Sequence, residues 1–307
     1  MRSFARWSST SAAVRADAWV LAVALAACAP NAVVPHVTSP TTAAWFDRAV
    51  DRSSRIVIHV ALDRAEGGLR TALESIVLDV VASIYAEGPN LRAAVGHATE
   101  AIITSAKKSD DALIVLRGVP PDVDPGALRA TDGGREFGVR VAGEYVEYTY
   151  LPATGTLVVL SDGAWLMAGG PAAQDAKNAI ERTGGAPVLP KRSGEPLADL
   201  WVPAAALREI AGQNRLRLLA PLLLHATSVT GWLGTDLRGE LRVRFPTEAE
   251  AKEGRATLID VKRVLAERTD SAAHFLGDAT VELEGADVVV HATVPPAAID
   301  AFVQGHL

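Results

Sequence analysis

Leu237-Arg-Gly-Glu-Leu-Arg-Val-Arg-Phe245 alternates without a break. Leu241, Val243 and Phe245 fall on one side of an extended chain, with Arg238, Glu240, Arg242 and Arg244 on the other. A period of two makes this a strand, and the charge on every second residue predicts a sheet with one buried face and one wet face. Upstream, Ser228 to Leu233 reads as a second strand, turned back at Gly234-Thr235-Asp236. Downstream, Thr247 stands three residues before Glu250, which is a capping box, and Ala251, Leu258, Val261 and Leu265 line the inner face of the helix it starts. Ala279 to Leu283 and Asp287 to Val294 form a hairpin, and Pro296 to Gln304 a closing helix stopped by Gly305. The order from residue 237 is therefore strand, helix, strand, strand, helix. The fold class is α+β: antiparallel sheets with helices packed on one face.

The preceding sequence has the same style. Ile56, Ile58, Val60 and Leu62 share one strand face and His59 lies on the other. Leu69, Leu73, Ile76, Val77, Val80 and Ile84 recur at helical steps, with Gly88-Pro89-Asn90 as the stop. Leu91, Val95, Ala98 and Ile102 predict a second helix over 91–106. A meander of short strands follows: 112–119, 137–141, 145–151, 156–160 and 165–167, joined by Gly- and Asp-bearing turns. Pro171 to Arg182 reads as a helix, with Gly184 just past its end. The polar, proline-rich run Pro187 to Pro196 has no period and divides the chain into an N-terminal α+β domain, 45–190, and a C-terminal one, 191–307. Leu197 to Val202 is then a strand entering a short helix, Pro203 to Ile210, before the apolar run Leu216 to Leu224.

A strand followed by Val-Pro recurs at Val119-Pro120, Val202-Pro203 and Val294-Pro295, and Ile56-Val-Ile-His59 resembles Val288-Val-Val-His291. These echoes fit an internal duplication into two similar halves. A common strand-to-helix junction accounts for them equally well.

Three local patterns carry chemistry if they are real. Ser105-Ala-Lys-Lys108 matches Ser-x-x-Lys, which on a helix sets a lysine base beside a serine nucleophile; surface residues at a helix end are the plainer reading. His59 and His291 would share a metal only if their strands were neighbours; otherwise each lies on a solvated sheet side. Asp110, Asp111, Asp122 and Asp124 lack the glycine and the glutamate of a calcium loop and read as turn and capping residues. None of these amounts to a catalytic, cofactor or metal site. No phosphate loop, dinucleotide fingerprint, nucleophile elbow or zinc-protease motif is present. The chain, 49% hydrophobic and 21% charged, has the balance of a globular protein. Its net charge of −6, without a lysine-rich run, argues against nucleic acid as a partner. With a single cysteine, the fold must stand on its core without disulfides.

That cysteine is Cys28. It closes Ala18 to Cys28, an apolar run preceded by Arg2, Arg6 and Arg15. About ten apolar residues are too few for a membrane span, which needs about twenty, but they suit a secretory signal. The closing Leu25-Ala26-Ala27-Cys28 resembles the lipobox of bacterial lipoprotein precursors. The resemblance covers the first 28 residues and implies cleavage after residue 27, acyl chains (palmitate among them) on Cys28, and a permanent membrane anchor. It also implies a periplasm-facing place in the cell envelope, with Ala29 pointing to the outer membrane. Residues 28–44, with three prolines and no charge, form an extended flexible tether. The expected role is a binding or structural module meeting an envelope partner. The alternatives are a hydrolase with a scattered site and a carrier of an apolar ligand.

Overall fold

A computed structural model describes residues 49–50, 56–82, 88–105, 112–125, 128, 135–142, 145–151, 155–160, 162–169, 172, 176, 178–180, 196–211, 219–266 and 278–295. Within them the chain is α+β, built on one antiparallel sheet. Strand β1 (Ile56–Val60) pairs with β2 (Glu100–Ser105) on one side and β8 (Ala198–Pro203) on the other. Beyond β2 come β3 (Ala112–Arg117), β7 (Trp165–Gly169), β6 (Gly155–Leu160), β5 (Tyr145–Leu151) and β4 (Arg135–Ala142). Beyond β8 come β9 (Ser228–Leu233), β10 (Arg238–Arg244), β12 (Asp287–Thr293) and β11 (Thr280–Glu284). The sheet thus runs unbroken from the stretch before residue 190 into the stretch after it, through the β1–β8 pairing.

Helices α1 (Gly67–Val81), α2 (Pro89–His97), α3 (Ala204–Ala211), α4 (Ala220–His225) and α5 (Glu248–Ala266) contribute their apolar residues to one core with one face of this sheet. Ile58, Ile103, Ile114, Leu200, Leu241 and Val243 point into that core, where Val77, Leu91, Leu207, Leu223 and Leu258 meet them. At about 1.5–3 kcal/mol for each large apolar side chain removed from water, such a core holds the fold without a disulfide. Arg70 ties α1 to the end of α2, donating to the carbonyls of Gly96 and Ala98 at 2.8 and 2.9 Å. Orphan carbonyls at a helix C-terminus are thereby satisfied.

The far face differs between the two ends of the sheet. Over β1–β3, β6 and β7 an apolar patch on it is covered: Val57, Ile102, Val115, Val158 and Leu166 pack with Ala172, Ala176 and Ala179. Ala176 and residues 178–180 are helical, inside the helix expected over 171–182. Over β8–β12 the far face is polar, as the alternation of 237–245 requires. Leu241, Val243 and Phe245 are buried while Arg238 and Arg244 are exposed.

Two expectations for 88–106 are corrected. Gly88-Pro89-Asn90 opens α2 instead of closing α1; Gly88 is the N-cap and proline occupies the first turn, where its missing N–H costs nothing. The helix stops at His97, and Glu100-Ala-Ile-Ile-Thr-Ser105 is a strand. Ile102 fits both periods, but the β-branched run Ile102-Ile103-Thr104 finds partners on β1 and β3, and pairing outweighs local pattern.

The two halves repeat one order of elements. Strand, helix, helix, strand, strand describes β1-α1-α2-β2-β3 and again β8-α3-α4-β9-β10, and the two first strands pair antiparallel where the halves meet. The counterpart of the His59 strand is β8, not the His291 strand that resembles it in sequence.

Thr247 caps α5, with the Glu250 amide donating to Thr247 Oγ1 at 3.2 Å and that hydroxyl donating to Glu250 Oε2 at 2.7 Å. The signal, tether and closing-helix expectations, residues 1–44 and 296–304, lie outside the described residues.

Gly254 sits mid-helix in α5, where alanine is ordinarily favoured by about 1 kcal/mol. A Cβ there would stand 2.3 Å from Phe245 Cζ, inside a ring that is 3% exposed. Gly254→Ala is therefore expected to lower the unfolding free energy by about 1–3 kcal/mol, and Phe245→Leu in the same chain to recover part of it. Denaturant titration of the two variants measures both effects.

Candidate functional site

Along β1, Val57 and His59 face away from the main helical layer. Cross-strand register sets Asp199 of β8 directly beside His59 and Ile102 of β2 on its other side. Glu100, two residues from Ile102, shares that face one diagonal step away, a span that long side chains bridge. Arg117 of β3 stands opposite Glu100. The four side chains form one line across β8, β1, β2 and β3. Asp199 Oδ2 lies 3.4 Å from His59 Nδ1, Glu100 Oε1 lies 2.7 Å from His59 Nε2, and Arg117 donates to Glu100 Oε2 at 3.0 Å.

This line is enclosed. Glu100 is 4% exposed and Asp199 9%, and the His59 side chain is 14% exposed. Ionised carboxylates only accept hydrogen bonds, so an imidazole between two of them must donate from both nitrogens and is an imidazolium. Burial, the largest influence, pushes the His59 pKa down. The hydrogen bonds with Asp199 and Glu100 and the charge on both carboxylates outweigh it, and the pKa rises from 6.5 to about 9. The residue is a cation at neutral pH. With both nitrogens held by carboxylates it has none left to take a proton from a hydroxyl, so this arrangement supports no serine-type chemistry. Two positive and two negative groups cancel, which makes the line a structural stitch across the seam of the two halves.

The sequence-predicted residues fall elsewhere. His59 is not on a solvated side, because the far face around β1–β3 is covered there. His291 is half-exposed on β12, and β10, β9 and β8 lie between it and β1. Four strand spacings separate the two by about 19 Å, so they share no ion. Ser105 is the last residue of strand β2, whereas the sequence expected it on a helix; residues 106–108, with Lys108, lie outside the described residues. Asp122 and Asp124 are exposed beside a turn closed by Val123 N–H on the Pro120 carbonyl, and Asp110 and Asp111 lie outside the described residues. Among the described residues no three His, Cys, Asp or Glu side chains are grouped to hold a metal.

Glu100, Asp199 and Arg117 were not singled out from sequence. The available signal was a lone charge on otherwise apolar strands: Glu100 before Ala-Ile-Ile, and Asp199 between Ala198 and Leu200. A second cluster lies on the open polar face, where Arg242 reaches Glu284, Glu240 and Asp287 at 2.7, 3.0 and 3.2 Å and Arg244 reaches Asp287 at 2.8 Å. Hydrogen bonding from Arg244 leads the causes that hold the Asp287 carboxyl below its usual range. Arg244 is 61% exposed, so its pair with Asp287 is worth at most about 1 kcal/mol. An open groove of about 440 Å³ between α5 and β11 is lined by Arg255, Ile259, Lys262, Arg263, Asp278 and Thr280, among others, with neither serine nor histidine in its lining.

The chain folds like TP0453. Crystal form III of that protein superimposes with a TM-score of 0.52 at 11% identity, covering 90% of this chain and 99% of that one. Crystal form I gives a TM-score of 0.50 at 10% identity, covering 90% and 98%. At such identity the likeness is one of fold alone. No family model and no curated protein sequence matches.

Because the folded pKa of His59 is raised, the stability it contributes is present in full below pH 6.5 and is lost as the pH rises through about 9. The shift is worth on the order of 3 kcal/mol at 1.36 kcal/mol per unit. Urea unfolding between pH 6.5 and 9.5 is expected to show that loss. A His59→Gln variant, less stable by about 3–5 kcal/mol at pH 7 for want of the buried cation, is expected to show little of it.

Proposed function

We propose that the protein is a lipid-anchored component of the bacterial cell envelope that acts as a non-catalytic binding or structural module. One observation carries the reading: Leu25-Ala26-Ala27-Cys28 ends an apolar run behind an arginine-bearing segment, and its cysteine is the chain's only one. A thioether-linked cysteine would be inert in an oxidising compartment, where a lone thiol would be a liability. The proline-rich tether to residue 44 would hold the folded part about 30–50 Å from the bilayer. No helix among the described residues is long and apolar enough to cross a membrane, so attachment in this reading rests on the acyl chains.

The module half of the reading draws on the charge line. Its histidine is held as a cation by two carboxylates, a use that steadies a scaffold rather than moves protons. The polar far face of β8–β12 is where such a scaffold would meet an envelope partner.

Cys28→Ser, expressed in a Gram-negative host and fractionated, is expected to move from membranes to the soluble fraction and to lose incorporation of an alkyne-tagged fatty acid. A variant that stays with the membranes as firmly as the parent overturns the anchor.

A further inference from the structure

Among the described residues strand β11 ends the sheet order, and its hairpin fixes which backbone groups look outward. Glu284 and Asp287 close a two-residue turn, with Gly285 first at φ +63°, as a type II′ turn requires. The closing pair of such a hairpin exchanges both of its hydrogen bonds, and bonded pairs alternate from there. Thr280, Glu282 and Glu284 therefore spend their amides and carbonyls on β12. Val281 and Leu283 turn theirs away from the sheet, as does Ala279 just before it. An edge with outward carbonyls and amides is a template on which another strand can add.

Two of those outward carbonyls, on Ala279 and Val281, are occupied. Arg255 of α5 donates from Nε to the Val281 carbonyl at 3.0 Å, and Lys262, two turns along the same helix, donates to the Ala279 carbonyl. Both come from one helix that packs along β11, so the pair spans the half of the strand farthest from its turn. Glu282 and Glu284, exposed on the opposite face of the strand, set like charges against any second copy of β11.

We infer that Arg255 and Lys262 are a guard on the β11 edge, which keeps a second copy of this chain from extending the sheet there. The site is an interaction surface held shut from within: strand addition from another copy must first displace two cationic side chains from backbone carbonyls.

The test uses the full-length chain carrying Cys28→Ser and Glu282→Cys, which leaves one reporter thiol on the edge. Adding Arg255→Ala and Lys262→Ala is expected to tighten self-association about tenfold or more in sedimentation velocity, with a short bismaleimide then trapping a dimer through residue 282. Circular dichroism checks that the fold is retained. If the double substitution unfolds the chain, Arg255→Ala alone, which strips one exposed side chain, gives the same reading on a smaller scale. A folded variant that sediments like its parent overturns the inference. So does association in which residue 282 is not crosslinked.

Discussion

A histidine cation held between two buried carboxylates is the constraint on which this architecture turns. Asp199 belongs to the second half of the chain, Glu100 to the first, and His59 lies on the strand that joins them. A buried carboxylate without a partner costs several kcal/mol, so the three groups are tolerable only in the register that brings them together. The line thus selects one alignment of β8 against β1 from those that would bury the same apolar surface. A shift by one residue would turn Asp199 into the helical core and Leu200 onto the charged line. Arg117 completes the neutralisation at the far end.

The two faces of the sheet divide the remaining work. Among the described residues the helical face carries one apolar core that joins both halves. The far face changes character at β8. On the N-terminal side it is sealed by small residues, and on the C-terminal side it carries arginines and glutamates. This asymmetry places the charge line at the border between a dry and a wet surface. There burial is deep enough to strengthen hydrogen bonds and shallow enough that the charges are not prohibitive. A repeat of strand, helix, helix, strand, strand gives the halves matching outlines while the far faces diverge.

Much of this was legible in the residues. The alternation from 237 to 245 gave the orientation of β10, and Thr247 with Glu250 gave the start of α5. The meander was legible because Gly- and Asp-bearing turns separate its strands. What stayed hidden depended on pairing between distant residues. Glu100-Ala-Ile-Ile-Thr-Ser fits a helix or a strand locally, and only β1 and β3 decide between them. His59 and His291 sit in similar β-branched tetrapeptides, yet one is enclosed by carboxylates and the other is half-exposed, because enclosure depends on strand order. Glu100 and Asp199 could not be recognised for the same reason: a local period tells which way a side chain points, not what covers it.

Nitrogen-15 NMR of the His59 ring tests the central claim most directly. Both ring nitrogens are expected to have the shifts of protonated imidazolium at pH 7.5, and to titrate together near pH 9. A neutral ring at pH 7.5, titrating at or below the ordinary value of 6.5, would contradict the account.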